Sequence, residues 1–275
     1  MKFNLDIKNF GPDSWAELNK SGFRIHAKRD GLIYKYVNFE TATKIVSNSN
    51  LQYSSFLNFN DPFDLTPDLI STDLTIAEAT TILTNQMAGD KEEIAALIDF
   101  NSKRNDFFST ITHQAIRELM SDIGITCFSK SFHKTLMWSH YADKHNGICL
   151  GFSFEEPGEK GFMQLDIKYA DSIIPVNFFH DPLHSIYNWI FTKSSIWNYE
   201  EEVRRVHISK TGLLPFQKHE LKEIYFGLKV SDENLELFRK LLHEKGYKVE
   251  KESKMIMNKS TFDLKEEFLS KYNAI

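Results

Sequence analysis

Cysteine is nearly missing from this sequence: Cys127 and Cys149 are its only two among 275 residues. Each lies inside an apolar, strand-like run. A disulfide framework is therefore excluded, and the spacing fits no zinc motif. Glycine (12) and proline (7) are scarce, which argues for few long flexible loops. No window reaches the roughly 18 consecutive apolar residues that a membrane helix needs. The first residues, Met1-Lys2-Phe3-Asn4-Leu5-Asp6, carry charge where a signal peptide would need its apolar run. The expectation is a cytoplasmic protein that does not enter a membrane. No Gly-x-Gly-x-x-Gly, P-loop or Gly-x-Ser-x-Gly pattern occurs, so Rossmann, P-loop and serine-hydrolase chemistry lack support. His133, His140 and His145 are seven and five apart, which fits no helical ligand pair. His180 and His184 are four apart, but Asp181-Pro182 puts His180 outside the helix. No metal site is expected.

What is present is ordinary for a globular chain: 41% hydrophobic and 26% charged residues, with 23 phenylalanines. That excludes disorder as the main state. Basic and acidic residues number 33 and 38, a net charge of −5, which argues against a non-specific binder of nucleic-acid backbone. The length suits one large domain or two small ones, and the chain is read as a single domain, 1–275.

The pattern along the chain predicts an α+β fold with a mixed or mostly antiparallel sheet. The core runs from about 31 to 257, and a helical segment is inserted at about 72–122. Strands are expected at 32–37, 51–55, 123–129, 147–154, 162–169, 200–208, 221–228 and 247–257. Helices are expected near 13–19 and at 39–47, 75–87, 91–122, 134–143, 182–192 and 231–245. Thr75 followed by Glu78 is a capping-box signal. Gly246 stands where a helix stop belongs.

Four stretches gather chemically costly residues: Tyr34-Lys35-Tyr36, the turn Asn58 to Asp64, the run from Cys127 to Phe152, and Lys193 to Arg204. In the third, a short helix brings Trp138, His140 and Tyr141 within reach of one cleft; the plainer reading makes Trp138 and Tyr141 core aromatics and His140 a satisfied buried histidine. In the fourth, strand alternation puts Glu200, Glu202 and Arg204 on one side of a sheet. Arg204 can fork onto one carboxylate and leave the other free for a hydroxyl; a solvated acidic edge is the plainer reading here. Asn60 and Asp61 suit an ordered turn, and could also order a loop beside a ligand.

The motifs Tyr34-Lys35-Tyr36, Asn60-Asp61-Pro62-Phe63-Asp64, Cys127-Phe128-Ser129 and Met137-Trp138-Ser139-His140-Tyr141-Ala142 together resemble a bacterial family, domain-of-unknown-function family 2971. The resemblance continues through His145-x-Gly147, Gly151-Phe152, Trp197-x-x-Glu200-x-Glu202-x-Arg204 and Phe226-Gly227, and spans about 32–230. It supplies no activity. The order of parts is more distantly similar to ADP-ribosyltransferases. That likeness implies an ADP-ribosyltransferase-like fold with Tyr34, Lys35 and Tyr36 on the opening strand, Phe128 and Ser129 on a central strand, and a recognition loop at 193–199. It makes Glu202 or Glu200 catalytic, with Asn60, Asp61, Trp138, His140, Tyr141 and Arg204 about the ligand. Lys35 departs from the likeness, standing where a His or Arg is usual, and the helical insert lengthens the spacing.

The implied activity is cleavage of the nicotinamide N-glycosidic bond of NAD, with ADP-ribose passed to an acceptor that is protein, nucleic acid or water. Toxin or phage-defence biology is the implied setting. The chemistry is economical. Nicotinamide leaves as a neutral base, so one carboxylate suffices where most glycosidases need two. Two rivals stand beside it. One is a non-catalytic module that binds a protein or small ligand. The other is a nuclease holding magnesium with Asp61, Asp64 and the acidic strand.

Overall fold

A computed structural model describes residues 31–59, 61–66, 69–75, 77–78, 81, 95–96, 99, 107–154 and 162–269. The chain opens as strand, helix, strand: β1 (Ile33–Val37), α1 (Phe39–Asn48) and β2 (Asn50–Tyr53). Asn38 caps α1 by accepting the Thr41 N–H at 2.7 Å, and Ser49 ends it in the left-handed region. Next come α2 (Phe107–Met120), β3 (Gly124–Ser129), α3 (Thr135–Tyr141) and β4 (Ile148–Phe152). Then follow β5 (Phe162–Asp166), β6 (Lys168–Ala170), α4 (Pro182–Phe191) and β7 (Thr192–Ser194). A 3-10 helix, Ser195–Glu200, leads into β8 (Glu202–His207). The chain continues through β9 (Gly212–Pro215), β10 (Leu221–Phe226), α5 (Asp232–Glu244), β11 (Lys251–Met257) and β12 (Leu264–Phe268).

Eight strands form one sheet in the order β12-β11-β10-β4-β1-β3-β8-β5. Every neighbouring pair in it is antiparallel except β10 with β11. The sheet is nearly parted at its centre. β1 pairs with β4 along its whole length, from Ile33 opposite Phe152 to Val37 opposite Ile148. β3 pairs with β8 from Gly124 opposite His207 to Ser129 opposite Glu202. Between β1 and β3 the register holds only at Tyr34 opposite Ser129.

Strand alternation sorts the core. One face carries Ile33, Val37, Phe128, Leu150, Phe152 and Val203, packed with Ile45 and Val46 of α1 and Leu235, Phe238 and Leu242 of α5. The other face has two separate clusters. Ile125, Leu165 and Val206 pack with Met120 of α2 and Ile186 and Phe191 of α4. Tyr36, Cys149 and Tyr225 pack with Met137 and Trp138 of α3. The interval between these two clusters lies where the sheet parts.

The α+β class and the mixed sheet expected from sequence are present. Gly246 has a positive φ of 71° just past α5. The Thr75–Glu78 capping box forms, with the Thr75 N–H donating to Glu78 Oε2 at 2.8 Å and the Glu78 N–H to Thr75 Oγ1 at 3.3 Å. Most of the helix expected at 75–87, residues 91–94, 97–98 and 100–106 of the one expected at 91–122, and all of the one near 13–19 lie outside the described residues, while Phe107–Met120 is helical. Three expectations need correction. The strand expected at 162–169 is two: β5 pairs with β8 in the main sheet, and β6 pairs with β7 in a separate one. Glu200 is not in a strand: it closes the 3-10 helix, and β8 begins at Glu202. The strand expected at 247–257 starts at Lys251 and is followed by an edge strand, β12. Its sequence Leu264-Lys-Glu-Glu-Phe268 is mostly exposed and charged, as an edge tolerates, and so lacked an apolar strand signal.

Candidate functional site

Acidic and basic side chains meet where β1 and β3 separate. Glu202 and Arg204 alternate on β8 and point to the same face. Arg204 donates from Nε to Glu202 Oε1 at 2.8 Å and from Nη2 to Asp64 Oδ2 at 2.5 Å. Its Nη1 donates to the Ile190 carbonyl at 2.6 Å. Lys193 comes from β7 and sits among three carboxylates: Glu200 Oε2 at 2.6 Å, Glu202 Oε2 at 3.1 Å and Asp64 Oδ2 at 3.6 Å. Glu200 reaches this lysine because Glu201 is left-handed (φ 45°), so the chain turns between the two acids. Lys134 pairs with the Glu201 side chain at 2.7 Å, and the Lys130 N–H donates to the Glu201 carbonyl. These contacts hold a conformation that is costly for a non-glycine residue.

A cavity of about 180 Å³ opens on this cluster. Tyr34, Lys35 and Tyr36 of β1 line it together with Cys127 and Phe128 of β3. Phe59, Asp64, Met137, Tyr141, Lys193, Glu200 and Glu202 complete it. Lys35 occupies the opening in the strand pair, donating to Thr126 Oγ1 at 2.9 Å and to the Cys127 carbonyl at 3.0 Å. It satisfies a carbonyl that the broken ladder leaves without a strand partner. Tyr141 donates its hydroxyl to Glu200 Oε1 at 2.5 Å.

The ionisation pattern follows from burial and charge. Burial works to raise the Glu202 carboxyl, but Arg204 and Lys193 together outweigh it and hold the group at about 2. Burial pulls Lys193 down, yet Glu202, Glu200 and Asp64 carry it above its ordinary value. Lys35 is lowered, chiefly by burial. Burial and the hydrogen bond to Glu200 push the Tyr141 phenol up. Burial likewise raises the Cys127 thiol, so it stays protonated and a poor nucleophile. The cluster has three carboxylates and two firmly held cations. Asp64 Oδ1 is buried with no hydrogen-bond partner.

Of the residues selected from sequence, Tyr34, Lys35, Tyr36, Phe128, Tyr141, Glu200 and Glu202 meet at this cavity. Arg204 lies behind the acids, fully buried, and forks onto Glu202 through Nε at 2.8 Å and Nη2 at 3.4 Å. Trp138 does not join. It is fully buried, its indole N–H donates to the Phe132 carbonyl at 2.7 Å, and its ring packs edge-on against Tyr36. His140 faces outward, its Nδ1 3.1 Å from the Tyr199 hydroxyl. Ser129 is buried, and its Oγ accepts the Ser131 N–H at 3.2 Å. Asp61 accepts the Trp197 indole N–H at 2.7 Å and lines a different cavity. Asn60 lies outside the described residues. Lys193, Asp64 and Phe59 are site residues that the sequence did not single out for this cavity. The Asn-Asp-Pro-Phe-Asp turn was a signal for Asp64, but nothing in the spacing joined it to Arg204, 140 residues away.

The nuclease reading needs Asp61 and Asp64 together with the acidic strand, and Asp61 is turned to Trp197 instead. Among the described residues, no group of three or more His, Cys, Asp or Glu side chains is arranged to hold a metal ion. No described helix is long and apolar enough to cross a membrane.

Fold and site thus define an α+β protein whose mixed sheet parts at its centre onto a buried, ion-paired, aromatic-walled pocket. Residues 137–182 match the model of a family described as "Protein of unknown function (DUF2971)", which supports the domain-of-unknown-function family read from the motifs. The matched segment carries Met137 and Tyr141 of the cavity but none of its acids. No curated protein and no solved structure matches the chain.

Proposed function

We propose that this protein is an NAD-consuming enzyme of the ADP-ribosyltransferase kind, which breaks the nicotinamide N-glycosidic bond and passes ADP-ribose to an acceptor. The observation that carries the reading is the electrostatic incompleteness of the cavity. Of the three basic groups there, Lys193 and Arg204 are taken up by three carboxylates and burial disfavours the charged form of Lys35; Asp64 Oδ1 lacks a donor, and aromatic rings line the walls. A flat cationic ring bearing a donor amide answers all three features, and the nicotinamide of NAD is such a ring. A cavity of about 180 Å³ suits that ring rather than the whole dinucleotide.

The chemistry needs one acid at the ribose. Glu200 has the simpler replacement to make, because a ribose hydroxyl can take the place of the Tyr141 hydroxyl on Oε1. The carboxylate then stabilises positive charge as the carbon–nitrogen bond breaks and nicotinamide leaves with the electron pair. Glu202, bound on both oxygens by Arg204 and Lys193, fixes the charge balance around it.

The test is release of free nicotinamide from NAD by the purified chain, with Glu200→Gln and Glu202→Gln as variants. Release that both substitutions abolish supports the reading. Absence of release together with no NAD binding by calorimetry at millimolar ligand overturns it. The full ion pairing of Glu202 favours a second reading, a binding module without catalysis. NAD binding without nicotinamide release would select that one.

A further inference from the structure

We propose that a cavity of about 520 Å³, between the 3-10 turn Lys218–Glu220 and the turn that follows α5, binds a small oligophosphate, a chain of two or more phosphoryl groups. It shares no lining residue with the carboxylate cavity, so the inference does not depend on NAD chemistry. Lys218, His219, Lys222 and Lys248 all line it, and no Asp or Glu does. In a chain with a net charge of −5, this is a local reversal of sign.

The fold brings these residues together from two segments. Lys218 and His219 lie on the turn that enters β10, and Lys222 is the second residue of that strand. Lys248 follows Gly246, whose positive φ of 71° turns the chain after α5. Lys218 Nζ donates to the Lys245 carbonyl at 2.7 Å and ties the two segments.

The nearest acids are engaged. Glu220 is buried, and its carboxylate accepts the Gln217 N–H at 2.7 Å. Glu250 pairs with Lys222 at 2.9 Å and offsets that lysine. Lys218 and Lys248 are exposed and form no ion pair among the described residues. The Lys218 ammonium spends one of its three hydrogens on a neutral carbonyl and keeps its charge for a ligand.

Charge and size narrow the ligand class. A chain of phosphoryl groups reaches both unpaired ammoniums and competes with Glu250 for Lys222, which a single phosphate does less well. A long nucleic-acid strand would run from the cavity onto a molecule of net negative charge, which favours the pocket-sized anion. Free inorganic oligophosphate and the phosphate tail of a nucleotide share this chemistry.

The probes are tripolyphosphate, orthophosphate, ATP and oligothymidylate. Each is titrated by calorimetry at low salt, near neutral pH and without divalent cations. The titrations use the native chain, Lys218→Gln, Lys248→Gln and the double variant. Tripolyphosphate is expected to bind about tenfold more tightly than orthophosphate. Each single substitution should weaken it about fivefold, the upper worth of one exposed charge pair, and the two together more than either. ATP binding that is lost in the same variants and exceeds that of tripolyphosphate assigns the site to a nucleotide tail; weaker ATP binding assigns it to the inorganic chain. Three results overturn the proposal: no tripolyphosphate binding at millimolar concentration, unchanged affinity in a folded double variant, or tighter binding of oligothymidylate that the same substitutions abolish. Circular dichroism checks folding. If releasing the Lys245 carbonyl disturbs Lys218→Gln, Lys248→Gln decides, since the Lys248 side chain makes no hydrogen bond among the described residues.

Discussion

Glu200 and Glu202 share one ammonium: Lys193 Nζ lies 2.6 Å from the first and 3.1 Å from the second. Both acids and the lysine are almost fully buried. Removing the lysine leaves carboxylates in a low-dielectric site with Arg204 as the remaining firm cation. Lys193→Met should therefore cost about 3–5 kcal/mol, the usual penalty for stripping one partner from a buried ion pair. Urea unfolding at neutral pH measures it. A loss below about 1 kcal/mol would mean that water reaches the acids freely.

Glu202 sets a pH window. Its ordinary value of 4.5 falls to about 2 in the folded chain. A lowered folded-state value means that the stabilisation is fully present above the ordinary value. It is lost as pH falls toward 2. Unfolding free energy should decline between about pH 4.5 and 2, with a contribution from this group of at most about 1.4 kcal/mol per pH unit. In Glu202→Gln that component of the slope disappears. An unchanged slope in the variant would show that other acids account for the transition.

Trp138 and His140 separate by role although they are two residues apart. Trp138→Ala empties a fully buried site beside Tyr36 and should cost about 3–5 kcal/mol. His140→Ala removes an outward ring paired with Tyr199 and should shift stability by less than about 1 kcal/mol. Thermal unfolding of the two variants compares them directly. In the NAD assay, His140→Ala should release nicotinamide at the native rate.

The elements were legible because they are built from local signals: Thr75 and Glu78 as a capping box, Gly246 as a stop, an unbroken apolar run in β4. The site was legible only in part. Tyr34, Phe128, Tyr141, Glu200 and Glu202 stood out as residue types costly to bury, and they do converge. The bland reading of Trp138 as a core aromatic was the right one, since a short helix must bury one face and Trp138 lies on it. Lys193 and Asp64 stood out only as members of their stretches, and their pairing with Glu200, Glu202 and Arg204 stayed hidden because it is long-range. A lysine before a Ser-Ser pair looks like solvent-facing loop until β7 brings it beneath three acids. The parting of β1 from β3 also has no local signature, because both strands are individually regular.

Gly147 governs how closely α3 returns to the sheet. A Cβ there would lie 2.1 Å from the Val37 carbonyl oxygen and 2.9 Å from the Ala142 backbone. Backbone must move to admit it, and the helix that carries Tyr141 moves with that backbone. Gly147→Ala should destabilise the chain by about 2 kcal/mol or more. It should also weaken NAD binding. Native affinity in a destabilised chain would mean that the position of α3 does not control the cavity.

Tyr141 offers the sharpest test of how the acids meet a ligand. Its hydroxyl donates to Glu200 Oε1 at 2.5 Å, and this occupies the lone pair that the proposed ribose contact requires. Tyr141→Phe removes the donor and leaves the ring against the cavity wall. A hydrogen bond to a charged acceptor contributes about 1.5–3 kcal/mol, so the ligand-free chain should lose stability in that range. NAD should then bind more tightly, because the ribose hydroxyl no longer competes with the phenol for Glu200. Calorimetry on the variant gives the dissociation constant, and urea unfolding gives the stability. Loss of both stability and affinity would reverse the assignment: the phenol would be a direct ligand contact, and Glu200 would be its anchor rather than the acid that faces the sugar.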